Sequence, residues 1–160
     1  MAEHKATALL ITCMDYRFVD SFYKEAHALG IEHSYDRVAI AGDIKNVVRP
    51  SKPGDAELIL RQIEISKELH DIEEVVIISH QNCGAYGELA GLSADQELSV
   101  HTQDLLAARE IIISRVPGIR VLTFFATLKE GDHNNIMALK KLLHDSTSGN
   151  TRSTYQQAVV

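Results

Sequence analysis

Both cysteines of this chain lie in short clusters that carry other metal-binding residue types. The clusters read Cys13-Met14-Asp15-Tyr16-Arg17 and His80-Gln81-Asn82-Cys83-Gly84. Together they supply two thiolates, one imidazole and one carboxylate, a complete tetrahedral zinc shell in soft and borderline donors. Arg17, two residues past Asp15, can hold that carboxylate or bind an anion. Two cysteines this far apart could also form a disulfide, or be unrelated core residues, because cysteine is often buried. A reducing compartment disfavours the disulfide. The residue types around each cysteine favour metal ligands or reactive thiols.

The elements that must position these clusters can be read along the chain. Ala8 to Cys13 is a nearly continuous apolar run, the pattern of a strand buried on both faces. Arg17 to Leu29 reads as a helix closed by Gly30. Arg37 to Ala41 is a second strand, and Asp43 to Gly54 a loop broken by Pro50 and Pro53. Asp55 is placed to cap a helix running to about His70. Glu74 to Ser79 is rich in β-branched residues and reads as a strand. A short helical turn follows Gly84. Ser93 and Gln96 form a capping box for a long helix toward Val116. Ile119 to Thr127 is a further strand and Asn134 to His144 a final helix. The alternation predicts an α/β fold, a single domain with a mainly parallel β-sheet flanked by helices. Its expected extent is residues 1–145, with 146–160 a polar C-terminal tail.

The helix at Asp55–His70 carries two apolar stripes, Ile59-Leu60-Ile63 and Leu58-Ile65-Leu69. A surface helix needs one. The second is expected to meet another subunit, because 160 residues offer limited interior to cover both.

The chain is 45% hydrophobic and 24% charged, with a formal net charge of -6. That profile suits a globular domain and argues against a nucleic-acid partner, which needs a basic face. No apolar stretch approaches the roughly 20 residues of a membrane span. Met1 to Thr7 is polar and lacks a secretory core. The expected location is cytoplasmic.

In an open α/β sheet, ligands bind beyond the carboxyl ends of strands at a topological switch point. Cys13 ends the first strand, and His80 and Cys83 follow the third. If those strands are neighbours, all three side chains converge. Cys83 also stands near a helix start, which favours a thiolate. An Asp15–Arg17 pair would keep Asp15 ionised. Other motifs are missing. Cys13 and Arg17 are too close for a phosphatase loop, and there is no phosphate-binding glycine loop, dinucleotide fingerprint or Cys-x-x-Cys pair.

Cys-x-Asp-x-Arg followed downstream by His-x-x-Cys-Gly resembles the β-carbonic anhydrase family, and the resemblance spans roughly Ala8 to Leu128. It implies that Cys13, His80 and Cys83 bind Zn2+ and that Asp15 and Arg17 form the catalytic dyad. In a closed resting form of some members, Asp15 would take the fourth zinc position. Zinc-bound hydroxide would attack carbon dioxide and release bicarbonate, with Asp15, oriented by Arg17, accepting its hydrogen bond. The resemblance also implies a homodimer or higher homo-oligomer. Two other functions share these motifs: a zinc hydrolase of carbon disulfide or carbonyl sulfide, and a non-catalytic zinc-stabilised scaffold or anion binder.

The chain departs from the family pattern at Tyr16, where serine is usual, at Ile40, where asparagine is usual, and at Asp43, where a small residue is common. Tyr16 is expected to narrow or reshape the pocket. Asp43 is expected to be a loop or cap residue, with a repelling carboxylate or a new ligand as the sharper alternatives. Cys13 follows only twelve residues, too few for the N-terminal helices with which many members clasp a partner. Tyr86 is expected to pack, and His101 and His133 to be solvated surface histidines, with proton relay as their functional alternative.

Overall fold

The sheet that carries both clusters has the strand order β2-β1-β3-β4-β5. A computed structural model of the chain describes residues 4–31, 33–129 and 132–142. The strands are β1 (Ala8–Thr12), β2 (Tyr35–Ala39), β3 (Glu74–His80), β4 (Arg120–Lys129) and β5 (Asp132–Lys141). The first four are parallel to one another, and β5 pairs antiparallel with β4. The helices are α1 (Val19–Ala28), α2 (Lys45–Val48), α3 (Asp55–His70) and α4 (Ala94–Arg115). Chain direction across the sheet reverses between β1 and β3, so the topological switch point lies between the strands that lead into Cys13 and Cys83.

Alternation along the strands explains how helices cover both faces. Leu9, Ile11, Val75, Ile77 and Val121 join Ile59 and Ile63 of α3 and Leu105, Ala108 and Ile112 of α4 in one core. Ala8, Leu10, Val76, Ile78 and Phe124 join Phe18, Phe22 and Ala26 on the other face. Every residue of β1 and β3 is buried, as continuous apolar runs in a parallel sheet require.

Several expectations are corrected. Residues read as a final helix from Asn134 form β5 instead. Met, Ala, Leu and Lys are good helix formers, but propensity is a small bias that tertiary pairing overrides: the free edge of the ten-residue β4 offers a row of unpaired backbone groups that β5 satisfies. Strand β2 ends two residues early, at Ala39. Gly42 (φ +76°) and Asp43 (φ +38°) then turn the chain away, and the expected loop contains α2. The first turn after Asp15 is a 3-10 turn, Tyr16–Phe18, because the Asp15 carboxylate accepts the Arg17 backbone N–H. Asp55 does not cap α3: Gly54 occupies that position, and Asp55 accepts the Lys52 N–H at 2.8 Å. The capping box of Ser93 and Gln96 is formed. On α3, Ile59, Leu60 and Ile63 are buried, while Leu58 and Leu69 of the second stripe are exposed. The tail 146–160 lies outside the described residues.

Candidate metal centre

Cys13 follows β1 directly and His80 ends β3, its partner in the sheet. Cys83 stands at the start of a 3-10 turn, Gly84–Leu89. The parallel register brings the three together, and one ligand atom from each lies within 4.8 Å of the others. All three residues are buried, and both cysteines are free thiols.

The donor set fits a tetrahedral metal ion. Two sulfurs each about 2.3 Å from one tetrahedral zinc stand about 3.8 Å apart, and Cys13 Sγ and Cys83 Sγ are 3.8 Å apart. His80 Nδ1 lies 2.9 Å from the Gln81 carbonyl. A carbonyl only accepts, so Nδ1 carries a proton, and in the neutral imidazole a metal requires Nε2 keeps its lone pair. That Nε2 is buried and has no hydrogen-bond partner. A buried nitrogen left with a lone pair is a cost that a metal ion would remove. The ring is fixed by Phe18, whose centroid is 4.4 Å away, with Phe22 at 6.5 Å.

The thiols share a proton unequally. A hydrogen bond from the Cys83 thiol holds Cys13 down at about 4, although burial opposes this. Backbone N–H groups near Gly42 and Asp15 act in the same direction. Cys83 is pushed up because it donates that bond and is itself buried. A bound metal would displace the shared proton.

Gly42 is needed where it stands. A Cβ there would lie 2.9 Å from Ala85 Cβ, and its φ is +76°. The loop after β2 can therefore approach the Cys83 turn only without a side chain.

Asp15 and Arg17 form a close pair beside this trio. Arg17 Nε reaches Asp15 Oδ1 at 2.9 Å and Nη2 reaches Oδ2 at 2.6 Å. These bonds hold the Asp15 carboxyl below the usual carboxylate range. Both carboxylate oxygens are engaged by Arg17, and Asp15 lies outside the group of converging ligand atoms.

Other sequence expectations meet different outcomes. Tyr16 is 85% exposed and so narrows nothing within its own chain. Ile40 is half-buried against the core beside α3 and α4. Asp43 lies in the turn before α2, as a loop or cap residue should, but it is fully buried: its Oδ1 accepts from the Ile44 N–H at 2.6 Å and the Ser79 hydroxyl at 2.8 Å. Burial pushes its carboxyl up to about 6 despite those bonds. Tyr86 packs, as expected, against Cys13 and Cys83. His101 corrects the surface expectation: it is fully buried between Tyr86, at 4.1 Å, and Phe125, at 5.0 Å. The side chain of His133 lies outside the described residues.

Three residues around the site were missed by sequence reasoning. Asn82, next to Cys83, holds φ +55°, a region Asn tolerates better than most residues. Phe18 carries the His80 ring. Glu97 is buried on α4 and takes the Asn82 N–H at 2.6 Å. A signal for Glu97 was present, since Glu97, His101 and Asp104 fall on the same buried helical stripe as Leu105, Ala108 and Ile112.

Residues 1–136 match a family described as "putative carbonic anhydrase". An uncharacterized protein of Rickettsia bellii is 33% identical over 129 residues, 78% of this chain and 79% of that protein. An uncharacterized protein of Rickettsia conorii is 33% identical over 129 residues, covering 69% of its length. Among solved structures, β-carbonic anhydrase isoform I of Trichomonas vaginalis superposes with a TM-score of 0.55 at 14% identity, over 89% of this chain and 85% of that one. At that identity the likeness shows the fold.

Proposed function

The chain belongs to the putative carbonic anhydrase family, and from that premise we propose that it is a zinc enzyme hydrating carbon dioxide reversibly to bicarbonate. One observation carries the reading. Three converging metal-ligand side chains stand beside an aspartate that an arginine holds by two bonds.

Cys13, His80 and Cys83 would hold the ion, and the unpartnered His80 Nε2 supports that assignment. Zinc, when bound there, supplies a Lewis acid that brings the pKa of a water toward neutrality. Asp15 then accepts a hydrogen bond from the reacting water and turns a lone pair toward carbon dioxide. It can do so because Arg17 keeps it ionised and fixes both its oxygens. Arg17 also donates to the Asn82 carbonyl at 3.3 Å, which ties the dyad to the loop bearing Cys83. Phe18 and Phe22 limit the motion of the His80 ring.

A homodimer or higher assembly belongs to this reading. Exposed Leu58 and Leu69 on α3, and exposed Met14 beside Cys13, are the apolar surface that a second copy would cover. No helix among the described residues is long and apolar enough to cross a membrane. A cytoplasmic, reducing setting is part of the proposal because it keeps both thiols available as ligands. Stopped-flow hydration of carbon dioxide by zinc-loaded protein tests the activity, with carbonyl sulfide and carbon disulfide hydrolysis measured in parallel.

A further inference from the structure

Glu97 is a carboxylate where a helix would ordinarily bury an apolar residue. It lies in the opening turns of α4, after the Ser93 cap, and is 7% exposed. Burying a carboxylate is costly unless hydrogen bonds compensate. Its Oε1 accepts the backbone N–H of Asn82 at 2.6 Å. His101 Nε2, one helical turn away, is 3.9 Å from the same oxygen, beyond hydrogen-bonding distance.

Asn82 is the residue this bond restrains. Its φ of +55° lies in the left-handed region, which Asn enters more readily than most residues but still at some cost, so bonds to its N–H and carbonyl help fix it. The next residue is Cys83. The Asn82 carbonyl accepts from Arg17 Nη2 at 3.3 Å, and that same nitrogen reaches Asp15 Oδ2 at 2.6 Å. Asn82 therefore meets α4 through its N–H and the Asp15–Arg17 pair through its carbonyl, and it leads directly into one of the two thiols.

We propose that Glu97 is a positioning residue of the metal centre, fixing Asn82 and through it both Cys83 and Arg17. It touches neither a metal nor a substrate. Its role is to place the groups that would. The inference rests on the reading of Cys13, His80 and Cys83 as metal ligands and is independent of which reaction the centre performs.

Cobalt(II) substitution of the full-length protein provides the test. Thiolate-to-cobalt and d–d absorption bands report ligand placement, and transfer to a competing chelator reports dissociation. E97A and E97D, the latter withdrawing the oxygen by one methylene while keeping the charge, are expected to release cobalt about tenfold faster or more and to shift the bands. E97Q keeps an oxygen in place for the Asn82 N–H and is expected to stay within about threefold of wild type with unshifted bands. If E97A does not fold, the comparison of E97D with E97Q decides. E97D indistinguishable from wild type would overturn the inference. So would E97Q as impaired as E97D, since an oxygen in place for the Asn82 N–H would then not be enough. Failure of the wild-type protein to take up one cobalt per chain would overturn the ligand reading, and this inference with it. Normal cobalt binding without carbon dioxide hydration would count against the proposed reaction alone.

Discussion

Arg17 meets Asp15 with two nitrogens on two oxygens, Nε on Oδ1 at 2.9 Å and Nη2 on Oδ2 at 2.6 Å. The two residues are only two apart in the chain, and the 3-10 turn at Tyr16–Phe18 makes the contact possible. This fork, largely sheltered from solvent, keeps the carboxylate ionised and in one orientation.

The fork has a consequence for pH. A carboxyl whose folded pKa is depressed contributes stability above its unfolded value, about 3.9, and loses it as pH falls through the folded pKa. Arg17→Lys replaces the fork with a single point charge. In that variant Asp15 should titrate at higher pH by carboxyl NMR. The stability gap from wild type should be present at neutral pH and close on acidification through the folded Asp15 pKa. An unmoved Asp15 midpoint would mean that Arg17 is not the cause of its depression.

Cys83→Ala removes one of three anchors and should reduce zinc affinity by more than the 10- to 100-fold typical of lost supporting contacts. Metal content after dialysis against a weak chelator is the readout. Thermal unfolding of the variant should no longer respond to added zinc. Retention of one zinc per chain would refute the assignment of Cys83.

Gly42 separates conformational strain from steric conflict. Gly42→Ala places a Cβ 2.9 Å from Ala85 Cβ at a φ of +76°. The expected loss in urea unfolding is about 1–3 kcal/mol, the range for overpacking. Adding Ala85→Gly should recover the steric part and leave the backbone part. If the double variant is no better than the sum of the two singles, the predicted contact is not the source of the loss.

His101 should make folding sensitive to acid. Burial holds it down at about 4, with the positive charges of Arg49 and Lys45 acting in the same direction. The unfolded chain takes up this proton near pH 6.5, so stability should fall as pH drops from about 6.5 toward 4 and level off below. His101→Phe removes that proton and should shrink the loss across this window. An unchanged stability profile would show that His101 does not resist protonation in the folded state.

The strands and the ligand trio could be read from the sequence because their signals are local. Uninterrupted apolar runs such as Glu74–Ser79 mark buried parallel strands, and each ligand stands just beyond one. The edge of the sheet was misread for the opposite reason. Residues 134–141 favour helix locally, and only the open side of β4 makes them a strand. Asp43, His101 and Glu97 carry polar side chains whose usual place is the surface. Their burial follows from tertiary partners: Ser79 for Asp43, Tyr86 and Phe125 for His101, and the Asn82 N–H for Glu97. The Asp15–Arg17 pair could be anticipated from spacing, but its link to Asn82 spans 65 positions and required the fold.

Stopped-flow carbon dioxide hydration, on protein verified to hold one zinc per chain, decides whether this chain is a zinc-dependent hydratase. Hydration should run well above the buffer rate, be lost on zinc removal and restored on readdition, and fall strongly in Asp15→Asn with zinc retained. A rate equal to buffer at full zinc occupancy would contradict the proposed reaction.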